Sequence, residues 1–313
     1  VATVRERLAW RTRRAVLSSA VPFEVRCRLL YWEQRRHWST RRPSTFSQKL
    51  LWRLTYDRRP ILVTFVDKLA MRDYVAATVG PSFLTTLYAT AGDPAELDLG
   101  SLPREFVVKP NHGSQMLWIV ADWAGDEVRV VGTESGAVVP GGSILSNRRS
   151  LDRDRLMATC RGWLDSDYGD LAHEWAYRLV PRRLLVEELL PGPGRPPPDF
   201  KLYVFDGRVE YVSCNMDRFG PYKLHWARPD WTPFDPGTGI PAIDPPPPPP
   251  ASLERMVDAA SALGESMDFV RVDMYEVDGR ALVGELTVYP GGRGPANMPE
   301  SFGRSWTLPA KRR

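Results

Sequence analysis

Two carboxylates and an arginine near the C-terminus are the first chemical signal in this 313-residue chain. They sit in Phe269-Val-Arg-Val-Asp-Met-Tyr275 and Ala281-Leu-Val-Gly-Glu-Leu-Thr-Val-Tyr289, alternating runs joined across Asp278-Gly279, the pattern of a β-hairpin. A three-residue loop with Gly279 in the left-handed position is expected. It sorts Val270, Val272, Met274, Leu282, Leu286 and Val288 onto a core face, and Arg271, Asp273, Tyr275, Glu285, Thr287 and Tyr289 onto the other. A two-residue loop would place Asp273 and Glu285 on opposite faces. Two neighbouring carboxylates stay ionised together only beside a cation. A divalent ion with oxygen ligands, Mg²⁺, is the natural one, and a salt-bridged surface face is the plain alternative.

Two further features could converge on that face. Glu105-Phe-Val-Val-Lys109 reads as a strand running into the loop Pro110-Asn-His-Gly-Ser-Gln115, whose backbone N–H groups could cradle phosphate oxygens while Lys109 supplies charge. An ordinary turn is the competing reading. Val186-Glu-Glu-Leu-Leu190 is an apolar strand that exits through acidic residues, either a backbone edge for a base such as adenine or only a strand end. No Cys–His or Ser–His–Asp spacing is usable, four scattered histidines give no zinc pattern, and neither a Gly-Lys-Ser/Thr phosphate loop nor a His-Arg-Asp kinase set occurs.

The elements that must position these residues follow from patterning. Helices are expected over 3–19, 23–37, 47–56, 67–78, 151–165 and 252–267, with a helical turn at 94–99 and a stop at Gly80-Pro81. Strands are expected over 83–88, 105–109, 116–121, 127–131, 183–190, 200–205 and 209–212, the last two joined across Asp206-Gly207. The Gly/Ser-rich 132–150 and the run 193–198 read as loops, 217–240 carries few strand signals, and the six prolines 245–250 read as a stiff connector. Antiparallel hairpins interleaved with helices indicate an α+β fold rather than a doubly wound parallel sheet.

Charge is unevenly placed. Residues 1–60 hold 15 Lys and Arg against 4 Asp and Glu, and the rest hold 27 against 34, so the excess of base belongs to the N-terminal segment. Such an arm suits nucleic acid, an anionic membrane surface, or packing as a helix across the body. Packing across the body is the plain reading, peripheral association with an anionic membrane is the partner reading kept beside it, and nucleic acid is not expected. Three cysteines without metal spacing fit a reducing, cytoplasmic setting with docking at the inner membrane face, and no apolar run reaches the ~18 residues of a membrane span.

The motif order Asp67-Lys68, Phe106-Val-Val-Lys109-Pro-Asn-His-Gly-Ser114, Val186-Glu-Glu-Leu189, Asp199-Phe-Lys201, Arg271-Val-Asp273, Glu285-Leu-Thr287 and Pro290-Gly291 resembles an ATP-grasp enzyme. With Glu174-Trp-Ala-Tyr177 and Phe205-Asp-Gly207 it resembles the TupA-like family, named for teichuronopeptide biosynthesis, over roughly residues 47–303. The resemblance implies two α+β subdomains gripping ATP after N-terminal helices. The implied divisions are a basic helical segment (1–58), a lead-in (59–105), a lid with the adenine hinge (106–190) and a C-terminal subdomain with the metal and substrate site (191–313).

It also implies roles. Lys68 and Lys109 would hold ATP phosphates beneath a loop of Asn111, His112, Gly113 and Ser114. Glu187, Glu188 and Leu189 would hold adenine, and Asp199 the ribose. Asp273 and Glu285 would carry Mg²⁺, with Thr287 where relatives often place Asn. Lys201 would contact phosphate or substrate, Arg271 and the Gly291 N–H would face the developing oxyanion, and Arg218, His225 and Arg293 would lie toward the acid substrate. The implied reaction is ATP-dependent joining of a carboxylate to an amine through an acyl phosphate, on a cell-surface glycan precursor or a secondary metabolite; phosphotransfer to a hydroxyl and non-catalytic nucleotide binding are the alternatives.

Overall fold

In the computed structural model, residues 42–309 are described apart from 115, 125–126, 133–147, 191–196, 217–222 and 292–297, together with Val21, Pro22, Val25, Arg26 and Leu29. The expected helices over 3–19 and 23–37, most of 132–150, and the substrate candidates Arg218 and Arg293 lie wholly or largely outside the described residues. No described helix is long and apolar enough to cross a membrane.

Three helices open the described body. Thr45 starts α1 (Phe46–Tyr56) with a capping box, its hydroxyl accepting from the Gln48 N–H while the Gln48 side chain accepts from the Thr45 N–H. Pro60, whose missing N–H costs nothing in a first turn, starts α2 (Pro60–Val66), an element the sequence patterning did not reveal. Asp67 caps α3 (Lys68–Thr78) by accepting from the Leu69 N–H.

The first sheet comprises β1 (Leu87–Ala91), β2 (Phe106–Pro110), β3 (Trp118–Ala124), β4 (Glu127–Gly132), β5 (Arg148–Asp152) and β6 (Leu184–Glu187), in the antiparallel order β1-β6-β2-β3-β4-β5. Two differences from expectation fall here. The strand expected over 83–88 begins only at Leu87, because Pro81 starts a 3₁₀ turn through Phe83, and β5 opens inside the stretch expected to be loop. Helix α4 (Arg153–Asp165) buries Leu156, Cys160 and Trp163 among Phe106, Val108, Trp118, Leu184 and Val186 of this sheet, and the short α5 (Tyr168–Ala172) follows.

The second sheet comprises β7 (Asp199–Phe205), β8 (Arg208–Asn215), β9 (His225–Ala227), β10 (Val270–Val277) and β11 (Arg280–Thr287), in the antiparallel order β11-β10-β7-β8-β9. Helix α6 (Leu253–Gly264) buries Met256, Ala260 and Leu263 in the core that holds Leu202, Val204, Val270 and Val272. Two antiparallel sheets, each with helices on it, make the α+β architecture expected from the hairpin pattern.

The β10–β11 loop is two residues long, not three. Val277 pairs with Arg280, and Asp278 and Gly279 have φ of 51° and 71°, the left-handed pair that a type I′ turn requires. Asp273 nevertheless stands directly opposite Glu285, because the register slips by one between Asp273 and Met274 and leaves Gly284 as an extra residue in β11. The bulge does what the longer loop was expected to do. It also corrects the sorting of faces: Leu282 pairs with Tyr275 and so lies on the polar side, while Val283 takes its place opposite Met274. A side chain at Gly284 would meet the Tyr275 ring at 2.6 Å, so the bulge position is sterically held to glycine.

Candidate active site

Register fixes which residues of the second sheet share the polar face. Asp273 pairs with Glu285 on one side and Lys201 on the other, Arg271 with Thr287 and Tyr203, and Tyr275 with Asp199. Arg271, Asp273, Glu285, Thr287, Asp199 and Lys201 are therefore brought together. His225 is not. It pairs with Cys214, which pairs with Phe200, which pairs with Met274, so it lies on the opposite face, buried against Trp231 with ring centroids 5.0 Å apart. Burial lowers its pKa.

Asp273 is the hub. Arg271 reaches it with two parallel bonds, Nε to Oδ1 at 2.5 Å and Nη2 to Oδ2 at 2.6 Å, and Lys201 Nζ lies 3.2 Å from Oδ2. Burial would raise the Asp273 pKa, but the two cations hold it below the usual carboxylate range. Burial works against both cations too, and Asp273 outweighs it, raising the pKa of Arg271 and, with Asp199, that of Lys201. Thr287 Oγ1 accepts from Arg271 Nη2 at 3.2 Å, so its hydroxyl orients the arginine. Glu285 has no hydrogen bond or ion pair among the described residues, which leaves both of its oxygens for a ligand. Gly291, exposed at φ 95°, follows the run that leaves β11.

The first sheet and α3 supply the opposing cations. Lys68 is the first residue of α3, and its ammonium donates to the Gly113 carbonyl. Burial lowers its pKa to about 8, and Glu285 is the foremost of the charges that hold it up, ahead of Glu187 and Asp67. The carboxylate of the second sheet thus acts on the lysine of α3. Lys109, on β2, is ion-paired with Glu187 on the neighbouring β6. Arg72 Nη1 is 3.5 Å from the same carboxylate and 3.1 Å from Thr85 Oγ1. The Glu187 side chain therefore works as a counter-ion between Lys109 and Arg72. Glu188 is tied to Thr86 through Oε2, which accepts from its N–H and hydroxyl at 3.0 and 3.1 Å, and half-buried Leu189 comes next.

The loop after β2 is held by its own side chains. Asn111 donates to Asp67 and to the Pro181 carbonyl, both at 2.8 Å, and accepts from the Arg183 N–H at 2.8 Å. Its N–H and C=O are bound by Arg183 and Lys68. The Asn111 side chain thus knots the loop to α3 and β6. His112 is buried with Nε2 3.1 Å from the Trp163 carbonyl, to which it donates. Burial, then Arg182 and Lys68, lowers its pKa to about 4, so it is neutral and positional. Gly113, beside half-buried Ser114, has φ 109°, and a Cβ there would lie 2.2 Å from Met116 Cε and 3.1 Å from the Tyr168 ring. Gly113→Ala is expected to lower stability by about 1–3 kcal/mol and to weaken nucleotide binding with it; thermal melts with and without ATP check this, and an unchanged melt would contradict it.

Sequence reasoning gave no role to three site residues. Arg72 was findable, since Lys68 and Arg72 at i and i+4 share one helix face. Glu174 and Tyr177, in the 3₁₀ segment leading toward β6, appear in the sequence only as part of a motif. Burial, and then Glu285, pushes the Glu174 carboxyl up to about 8.

The TupA-like ATPgrasp family signature matches residues 48–306. No curated protein matches the chain. Among solved structures it is similar to D-alanine–D-alanine ligase from Bacillus anthracis complexed with ATP, at 17% identity over 74% of this chain and 56% of that one, TM-score 0.39. It is also similar to an L-amino acid ligase from Bacillus licheniformis, at 17% identity over 74% and 44%, TM-score 0.39. A third is the VanG D-Ala:D-Ser ligase from Enterococcus faecalis, at 13% identity over 80% and 62%, TM-score 0.40. The chain spans less than two thirds of the length of each. With the signature covering most of its length, this chain belongs to the TupA-like ATP-grasp family.

Proposed function

We propose that the chain is an ATP-dependent carboxylate–amine ligase that forms an amide through an acyl phosphate and releases ADP. The observation that carries this reading is the pairing of Asp273 with Glu285 on the face that holds Arg271 and Lys201, with Lys68 under the field of Glu285. In the proposed sequence the acid's carboxylate oxygen bonds to the γ-phosphorus as the bond to ADP breaks. The amine nitrogen then bonds to the acyl carbon as phosphate leaves and the nitrogen loses a proton. Such steps depend on positioning and on charges fixed in advance rather than on a protein nucleophile.

Lys68 and Lys109 would neutralise phosphate oxygens, the edge at Glu187, Glu188 and Leu189 would hold adenine by its backbone, and Asp199 would meet the ribose. Arg271 and the Gly291 N–H would face the oxyanion, and Lys201, held by Asp199 and Asp273, would contact phosphate or acid. The donor set fits Mg²⁺, which takes one or two carboxylates and leaves other positions to phosphate and water: Glu285 has both oxygens open, while Asp273 shares its own with Arg271 and Lys201. When bound, the ion would neutralise phosphate charge. A glycan precursor or secondary metabolite is the proposed acid.

Release of ADP and phosphate that requires Mg²⁺, an acid and an amine tests the reading. Trapping with hydroxylamine should yield a hydroxamate; a stable phosphorylated alcohol would make the chain a kinase, and a chain that binds no ATP would not be this enzyme. Nucleotide affinity should also fall as pH rises through about 8, where the Lys68 ammonium of the free chain loses its proton. Phosphate favours the charged lysine, so binding near that pH takes up a proton, measurable by calorimetry in buffers of different ionisation enthalpy. Lys68→Met should weaken binding and abolish that uptake; proton uptake that persists in the variant would reassign it.

A further inference from the structure

The Lys109 ammonium already has an anionic partner: it is ion-paired with Oε1 of Glu187. Register puts the two side chains on one face of the first sheet, because Glu187 stands opposite Val107, two residues before Lys109. The other carboxylate oxygen has partners of its own. Arg72 Nη1 lies 3.5 Å from Oε2, and the Thr85 hydroxyl donates to the same oxygen at 3.3 Å. That hydroxyl in turn accepts from Arg72 Nη1 at 3.1 Å, while Arg72 Nη2 donates to the Thr85 carbonyl. The side chains of Arg72 and Glu187 are 12% exposed and that of Lys109 16%, so a charge left alone among them would be largely cut off from water.

We propose that Arg72 is a positioning residue for nucleotide binding: it keeps Glu187 neutralised through Oε2 and so lets Lys109 pass from Oε1 to an ATP phosphate. This rests on the nucleotide site of the ligase reading above. A phosphate that draws Lys109 away removes one of the two cations from Glu187. With Arg72 in place the carboxylate keeps an ion pair and the Thr85 hydrogen bond. Without Arg72 it would keep the hydroxyl alone, and the departure of Lys109 would strand a desolvated charge. Arg72 acts through Glu187 and not on the nucleotide, since both of its Nη atoms bond to Thr85 and its ion pair is with the carboxylate. One oxygen of Glu187 can thus give up its lysine while the other stays held.

The test is a double-mutant cycle, read by calorimetric titration of ATP with MgCl₂ into the full chain. Arg72→Gln should weaken ATP binding about tenfold in the parent, but less than about twofold in a Glu187→Gln background, where no carboxylate holds Lys109 back. Arg72→Lys, which keeps the charge but not the paired bonds to Thr85, should recover most of the loss. Thr85→Val, a milder change at the same carboxylate oxygen, should weaken binding severalfold with the same dependence on Glu187, and it carries the test if Arg72→Gln does not fold. An equal loss in both backgrounds would overturn the proposal, because the arginine would then act on the nucleotide directly or through the fold. Arg72→Lys binding as weakly as Arg72→Gln would overturn it as well. ATP bound alike by the parent and Arg72→Gln would sink this inference and leave the ligase reading standing, whereas a parent that binds no ATP would sink the reading itself.

Discussion

An Arg53→Met chain is expected to be about 3–5 kcal/mol less stable than its parent, because removing one partner of a buried ion pair leaves the others desolvated and uncompensated. Arg53 is 0% exposed in the last turn of α1. Its Nη1 donates to the carbonyls of Phe269 at 2.9 Å and Val288 at 3.1 Å, and its Nη2 is 2.8 Å from Asp268 Oδ1. The guanidinium also lies over the Trp306 ring, 4.5 Å from its centroid. Arg59 and the Trp306 indole N–H remain on Asp268 in the variant, so that carboxylate is only partly stranded, but both carbonyls lose their donor. Phe269 immediately precedes β10 and Val288 immediately follows β11, so the arginine ties together the ends of the two strands that carry Arg271, Asp273, Glu285 and Thr287. Activity should therefore fall along with stability. Urea unfolding measures the first effect, and a loss below about 1 kcal/mol would show that the clamp is dispensable.

Asp273→Asn is expected to lower kcat by about 10³-fold or more while leaving a chain that still binds ATP. Asparagine cannot hold Arg271 in two charged bonds, and it takes away the carboxylate that Arg271 and Lys201 share, leaving Asp199 to pair with Lys201. Both side chains would move away from the positions where a developing negative charge needs them. A stability signature should accompany the change. The Asp273 carboxyl is held below the usual range in the folded chain, so its contribution is present above the unfolded pKa of about 3.9 and disappears as pH falls through the folded value. The parent should lose stability steeply at acid pH, and the variant should lose that part of the slope. A variant with an unchanged acid transition and parental kcat would remove Asp273 from the centre of the site.

Much of this site was legible because its strongest signals are local. Asp278-Gly279 and Asp206-Gly207 mark two hairpins, Asp67 marks a helix start, and the motif order supplied the family. What escaped depends on contacts distant in sequence or on a one-residue count. Arg53 reads as one base among many in a basic segment, and the two carbonyls it donates to lie more than 200 residues away. The Leu-Val-Thr-Phe-Val run of α2 is rich in β-branched residues that disfavour helix, and packing of Leu62, Phe65 and Val66 into the core overrides that preference. His225 was placed toward the substrate without knowledge of its register, and on β9 parity decides its face.

The bulge at Gly284 also governs how the hairpin can change length. Without it, a two-residue turn pairing Val277 with Arg280 would set Gly284 opposite Asp273 and send Glu285 to the far side of the sheet. The tip beyond the bulge can therefore lengthen or shorten only in whole cross-strand pairs. A single residue gained or lost must be absorbed in the turn or at the bulge itself, and removing Gly284 would leave Glu285 opposite Asp273 in a regular ladder. The two carboxylates are thus insulated from the length of the tip that joins them, and related chains could carry longer or shorter tips without moving either one.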